Sequence, residues 1–469
     1  MSTEKKQGGL AEKLLYNNKS IFELESSDER ARMMEFAEDY KYFLDRSKTE
    51  REATEQIIMT LDASGFREYH LGDKVKAGDR LYYNNRGKNV FAISVGRESI
   101  ENGVRICASH IDSPRLDLKP SPLFEADGVG YFKTHYYGGI RKYQWTTIPL
   151  ALHGVVTRAD GTTVNVNVGE DKGDPVFCIS DLLPHLSKDQ DTKKLSEAFS
   201  GEGLNIMICS SPYTDENGEI TESDAVKLNV MKLLNDKYGI VETDFLSAEL
   251  TAVPAGGAYD IGFDRWLIGA YGHDDKCCAY PTLRAVVDAG ETEHTVIVTF
   301  ADKEETGSCG VTGMKSSILI DIIDALSEQF GVNPALVRSR SCCLSADVTA
   351  AFDPNYSDVF EKRNSAYLHR GVALAKYTGA RGKSSTNDTS AEYAGFVRSM
   401  LDRENVVWQM AELGKVDAGG GGTVAMYISQ FNIDTIDIGV PVISMHAPFE
   451  IISKADLYEA YKAFAAFCK

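Results

Sequence analysis

Four apolar runs in this 469-residue chain, each about the length of one strand, hand over to a side chain that can ligate a metal. The run Val104–Ser109 ends at His110, and Thr295–Ala301 leads through Asp-Lys to Glu304–Glu305. Ser341–Ala346 ends at Asp347, and Thr435–Ser444 leads through Met445 to His446. A fifth residue, Asp274 in Gly-His-Asp-Asp-Lys, stands just before a helical segment. Strands buried on both faces read as continuous apolar runs, and open α/β sheets gather their functional groups just past the carboxyl ends of such strands. A single His or Asp in that place is more often a turn former or a satisfied polar group. Four of them with matching chemistry on one edge are hard to explain that way.

The rest of the chain fits such a sheet. Helical periodicity runs from Ser27 to Gly65 in two segments, and strand-like Val90–Val95 precedes the His110 run. From Tyr259 onward strands and helices alternate, with helical stretches at Lys276–Asp288, Gly310–Phe330, Ser390–Asp402 and Lys454–Phe467. Between them, from Leu116 to about Thr251, the texture changes to alternating β-like runs, including Thr146–Val156 and Thr162–Val168, and a polar loop-rich stretch from Ser187 to Glu222. The expected fold is α/β, a mixed but mainly parallel sheet sandwiched by helices, with an inserted mainly-β domain. The boundaries expected are 1–115 with 256–469 for the first unit and 116–255 for the insert.

Composition removes several functions. A net charge of −19 disfavours nucleic acid and anionic membranes, which need a basic face. No run approaches membrane-spanning length, and the first residues lack a signal-peptide apolar segment. The nine Cys include no Cys-x-x-Cys pair but two adjacent doublets, Cys277–Cys278 and Cys342–Cys343, both in apolar stretches. Adjacent Cys make poor disulfides, so they read as small buried residues of a reducing compartment, and the chain is expected in the cytoplasm.

Two His and several carboxylates suit a two-metal hydrolytic centre. Dications about 3.5–4 Å apart need an anion between them. Asp274 suits that bridge, with its neighbour Asp275 as the alternative. His110 and His446 then fall to opposite ions, with Glu305 and Asp347 completing the sets, since imidazole and carboxylate are zinc's usual ligands in such sites. Glu304 is left free as a general base. Asp112, two residues past His110, can orient its imidazole, or can simply be a turn residue before Ser-Pro.

These stretches resemble the aspartyl aminopeptidase family, metallopeptidase family eighteen, which also holds the yeast vacuolar aminopeptidase. The resemblance rests on His-Ile-Asp-Ser-Pro-Arg-Leu-Asp-Leu-Lys-Pro at 110–120, the Asp-Asp pair at 274–275, Glu-Glu-x-Gly-Ser at 304–308, Ser-Ala-Asp at 345–347 and Met-His-Ala-Pro at 445–448, in that order over nearly the whole chain. It implies a zinc exopeptidase fold and an aminopeptidase that removes the first residue of peptides with a free amino terminus. It implies two divalent cations per subunit, zinc above all, with cobalt or manganese as alternatives in one site. It carries metal ligation onto His110, Asp274, Glu305, Asp347 and His446 and the base onto Glu304. It also implies that the insert is a dimerisation domain, and that dimers build a tetrahedral dodecamer. His153 matches a residue expected to reach a neighbouring subunit's site and contact substrate or transition state. Lys376, Arg381 and Lys383 lie where an acidic first residue would find its cation, and the glycine run ending at Gly421, Gly422 and Thr423 is expected to line the substrate pocket. The rivals are a dinuclear zinc carboxypeptidase or deacylase of the same fold, and a noncatalytic assembly or cargo protein.

Overall fold

The computed structural model describes residues 10, 14–16, 18–220 and 223–469. Its main sheet has nine strands, in the order Arg67–Glu68, Arg80–Asn85, Asn89–Ser94, Thr295–Ala301, Val104–His110, Cys342–Ala346, Asp434–Gly439, Val372–Ala375 and Trp408–Met410. The four strands from Thr295–Ala301 to Asp434–Gly439 run parallel, while antiparallel steps flank them on both sides. This is the mixed, mainly parallel sheet that the alternation implied.

Both faces of the sheet are covered, which is why its central strands are apolar throughout. Cys107, Val298, Leu344 and Ile436 pack toward helices Ser27–Asp45, Glu50–Ala63, His273–Asp288, Ala391–Arg403 and Lys454–Cys468. Ile106, Ala108, Ile297 and Cys343 face helix Ile318–Gln329 and its neighbours. Four of these helices start on side-chain caps: Ser26 accepts the N–H of Glu29, Thr49 forms a reciprocal box with Glu52, and Ser390 and Ser453 cap Ala391–Arg403 and Lys454–Cys468. The helix expected over Gly310–Phe330 is shorter, Ile318–Gln329. Gly310 takes φ +98°, outside the helical region, and turns fill the segment before Ile318.

The run Thr435–Ser444 is two strands rather than one. Asp434–Gly439 belongs to the main sheet, and Pro441–Ile443 to a five-stranded sheet with Tyr259–Ile261, Leu267–Ala270, Glu450–Ser453 and Thr349–Ala350. Pro441 has no N–H to donate to the ladder it leaves, so the chain changes sheet there. That step carries His446 back over the end of the main sheet.

Residues after Pro114 enter a separate antiparallel sheet of six strands, ordered Thr163–Val168, Leu150–Thr157, Ala248–Pro254, Arg115–Ala126, Val129–Tyr137 and Ile206–Cys209. It has its own core, with Leu116, Phe132, Trp145, Leu152, Ile206 and Leu250, covered by helix Ala225–Tyr238. Among the described residues no helix is long and apolar enough to cross a membrane.

Charged groups seal the seam between this sheet and the helices of the main one. Arg115 donates to Glu50 at 2.7 Å. The imidazole of His153, on strand Leu150–Thr157, sits between Glu52 (Nδ1 to Oε1, 2.7 Å) and Glu170 (Nε2 to Oε1, 3.1 Å). Burial works against a charge on this ring, but the two carboxylates outweigh it and push its pKa up from 6.5 to about 9. The group gains affinity for its proton on folding. Its stabilisation is therefore full below about pH 6.5 and lost as pH rises through about 9. His153→Gln is expected to unfold at lower temperature than the parent near neutral pH, by on the order of 2 kcal/mol, with the gap closing by about pH 10. Thermal melts at several pH values check this; a gap independent of pH would show that His153 contributes no titrating clamp.

Candidate metal centre

Parallel strands put their carboxyl ends on one edge, and the ligand candidates assemble there. His110 is the last residue of Val104–His110, and Glu304–Thr306 is a short 3-10 turn just after Thr295–Ala301. Asp347 directly follows Cys342–Ala346. Gly439 on the neighbouring strand permits this, because a Cβ there would stand 1.7 Å from the Asp347 carbonyl oxygen. Asp274 and Asp275 have non-helical φ/ψ ahead of the regular helix, and the peptide bond between them is cis.

Asp274 lies between the two imidazoles. Its Oδ1 is 3.2 Å from His110 Nε2 and its Oδ2 is 3.2 Å from His446 Nε2. Asp347 Oδ1 lies 3.8 Å from His110 Nε2, and Glu305 Oε2 lies 3.4 Å from His446 Nε2. Two half-sites result, each with one imidazole, one further carboxylate and one oxygen of Asp274. Asp275 lies on the His110 side of the cluster: its Oδ2 accepts the backbone N–H of His110 at 3.2 Å, and its carboxylate stands within 4.8 Å of ligand atoms of His110 and Asp347.

The charges in this cluster do not balance. Burial alone would depress both imidazoles, yet the carboxylates around them hold His110 well above its usual range and push His446 up to about 11. Burial is also opposed at Asp274, whose carboxyl the two neighbouring imidazoles hold well below the usual range. Glu305 and Asp347 go the other way, raised by burial and by repulsion from Asp274. Burial pushes Glu304 up to about 7. Asp274 Oδ1 and Glu305 Oε1 are buried with no hydrogen-bond partner. Atoms of His110, Asp274 and Glu305 lie within 4.8 Å of one another, and so do atoms of His110, Asp275 and Asp347. Orphaned carboxylate oxygens beside imidazole nitrogens are what cations would satisfy, so the donor set fits metal ions.

The support around the ligands comes partly from residues that the motifs did not single out. Asp112 was expected beside His110, and His110 Nδ1 lies 3.3 Å from its Oδ1 and 3.0 Å from its carbonyl oxygen. The same carboxylate accepts the N–H groups of Glu304 (3.1 Å) and Glu305 (3.2 Å) and the hydroxyl of Tyr137 (2.9 Å). Glu450 was missed. It is 1 % exposed, and its two oxygens accept the N–H of His446 (2.6 Å) and of Asp274 (3.1 Å). The available signal was its spacing, four residues past His446 at the start of an apolar strand. Lys276 was missed as well: it donates to Ser113, which donates to the Asp274 carbonyl, both at 2.7 Å.

A cavity of about 460 Å³ opens over the cluster. Gly421, Gly422 and Thr423 line it as expected, together with Glu304, Ala373, Leu413 and Met445. Among the described residues no Lys or Arg lines it. Lys376 is half-buried outside it. Arg381 and Lys383 border a separate cleft of about 40 Å³, where Lys383 pairs with Asp388 at 3.1 Å and lies over the Tyr377 ring. Asp437, unforeseen, lines the cavity's edge behind Thr423. Burial pushes its carboxyl up to about 6; the Thr423 and Ser345 hydroxyls lie close enough to pull against this, although neither of its oxygens has a hydrogen bond of good geometry. His153 is not brought into the cluster. It is 1 % exposed with both ring nitrogens engaged inside its own chain, so in this arrangement no ring nitrogen is free to reach a neighbouring subunit's site.

Residues 43–468 match the family described as aminopeptidase I zinc metalloprotease (M18). A probable M18 family aminopeptidase 1 of Clostridium acetobutylicum is 49% identical over 438 residues, covering 91% of this chain and 93% of that one. The crystal structure of the M18 aminopeptidase from Thermotoga maritima superposes with a TM-score of 0.91 at 43% identity, covering 97% of this chain and 99% of that one. A dodecamer structure of the yeast Ape1 protein shares the fold, with a TM-score of 0.75 at 21% identity over 92% of this chain and 95% of that one. The chain belongs to the M18 family of zinc metallo-aminopeptidases.

Proposed function

We propose that the enzyme removes the first residue of peptides at a two-cation centre, with Asp274 as the bridge. The observation that carries this is the position of Asp274, with one oxygen toward each imidazole. His110 and Asp347 would hold one ion, and His446 and Glu305 the other. Bound there, the ions would polarise the scissile carbonyl and acidify a water molecule. Glu304 borders the cavity beside both half-sites with no ligand role of its own. It takes the proton from the attacking water and delivers it to the departing amine. Buried carboxylates around the half-sites attract the free α-ammonium group, which fixes the cut next to the amino terminus. The carboxypeptidase reading lacks a comparable feature, because no Lys or Arg among the described residues lines the cavity to hold a terminal carboxylate.

The same lining favours an uncharged first residue. Ala373, Ala375, Val348, Leu413, Ile438 and Met445 surround the cavity, and the cations expected to hold an acidic side chain lie outside it. The insert is read as a dimerisation domain and the assembly as a tetrahedral dodecamer; the exposed Leu182, Leu183, Leu186 and Leu233 of the insert, and the dodecamer formed by yeast Ape1, support an oligomer. The unpaired cysteines support a cytoplasmic setting.

Glu304→Gln is expected to keep its metal while turnover falls about 10²–10⁴-fold; near-normal turnover would reject the base. His446→Ala is expected to lose metal by elemental analysis, and full loading would remove it from the ligand set. In a panel of aminoacyl chromogenic amides, Leu and Ala substrates should exceed Asp substrates in kcat/KM by about tenfold or more, the scale of an unpaired buried charge. Acetylated substrates should remain uncleaved, and their hydrolysis would favour a deacylase.

A further inference from the structure

The inserted sheet meets the metal centre through one short turn, Tyr137-Gly138-Gly139, at the end of strand Val129–Tyr137. Each of its residues bears on a different part of the cluster. Tyr137 donates its hydroxyl to Asp112 Oδ2 at 2.9 Å, and Arg115 lies over its ring at 4.1 Å from the centroid. Asp112 in turn orients His110 and accepts the backbone N–H groups of Glu304 and Glu305. Gly138 adopts φ +75°, and a Cβ there would stand 3.2 Å from Glu305 Cβ and 3.3 Å from Glu305 Oε2. Gly139 accepts the Nδ1–H of His446 through its carbonyl oxygen at 2.8 Å, which points Nε2 toward Asp274 and Glu305.

We propose that Tyr137, Gly138 and Gly139 are positioning residues of the metal centre, so that the insert completes both half-sites in addition to any part it has in assembly. The proposal rests on the two-cation reading above. The imidazole of one half-site is oriented through Asp112 and Tyr137, and that of the other through the Gly139 carbonyl. Both anchors sit on one turn, so a single end of the insert's hairpin bears on both imidazoles. A ligating His donates its other ring nitrogen to an oxygen that fixes its orientation, and removal of such a partner weakens metal binding about 10–100-fold. A bare strand-end Tyr bracing two sheets would show none of these links to Glu305 and His446.

Zinc affinity separates the two roles. Metal-free protein would be titrated with zinc against a chromogenic chelator, and its unfolding followed in parallel. Tyr137→Phe keeps the ring under Arg115 and removes only the hydroxyl, so its metal-free melting temperature should stay close to the parent's. Its zinc affinity should fall about tenfold or more. Gly138→Ala should lower affinity further, because it displaces Glu305. If Tyr137→Phe and Gly138→Ala both bind zinc as tightly as the parent, the proposal is overturned. The same holds if Tyr137→Phe melts earlier with unchanged affinity. If the parent itself binds no zinc, the two-cation reading falls and this proposal with it. Should Gly138→Ala fail to fold, Tyr137→Phe alone decides.

Discussion

Asp274 sits 3.2 Å from each of two imidazoles and is almost wholly buried, and most of the surrounding polar structure answers to that placement. Several carboxylates crowd a volume from which water is largely excluded. In low dielectric, like charges this close cannot all ionise without compensation. Compensation within the cluster is partial: the carboxylates raise both imidazoles against burial, and burial raises Glu305 and Asp347. Cations would compensate more completely, because they can take the oxygens that now lack any donor. The cluster is thus built to be unsatisfactory until charged from outside, and its geometry must be held by something other than its own interactions.

That holding comes from the backbone. Glu450 grips the N–H groups of Asp274 and His446, and Asp112 grips those of Glu304 and Glu305. Two buried carboxylates outside the ligand set therefore fix four of the site's residues through their main chains, which leaves the side chains free to turn toward a metal. At Asp112, whose carboxyl His110 holds below the usual range against burial, such bonds are charge-assisted and roughly twice as strong as neutral ones. The parallel register of the central strands brings the same residues to one edge, and Gly439 admits the Asp347 backbone.

Much of this was legible in the sequence because strand ends carry information. A run such as Val104–Ser109 announces a buried strand, and a His after it announces an edge. His110, Glu304–Glu305, Asp347 and His446 could be picked out as candidates this way, and the change of texture after Pro114 marks the start of the antiparallel sheet. Glu450 was harder to read: Pro441 and a spacing of four from His446 are its only local signals, and its two backbone contacts arise only once the chain has changed sheet. Tyr137 was hidden for a similar reason: it closes a contact with Asp112 across a segment that reads as ordinary antiparallel hairpin. Lys376, Arg381 and Lys383 are near the cavity loops in sequence, but none of the three lines the cavity, and Lys383 pairs with Asp388 and lies over the ring of Tyr377. For His153 the local sequence alone does not separate a buried His in a seam from one in a site.

These contacts make the centre a property of two sheets rather than one. His110, Glu304, Glu305 and Asp347 follow strands of the main sheet, whereas the groups that orient His110 and His446 include Tyr137 and Gly139 of the insert. Linkage then works in both directions: whatever strengthens the docking of the insert favours the ligand geometry, and whatever occupies the ligands favours docking by the same free energy. The seam formed by Arg115 with Glu50, and by His153 with Glu52 and Glu170, carries part of that docking. A charged seam is a sensible location for it. Unlike an apolar interface it can be held in one register by directional pairs.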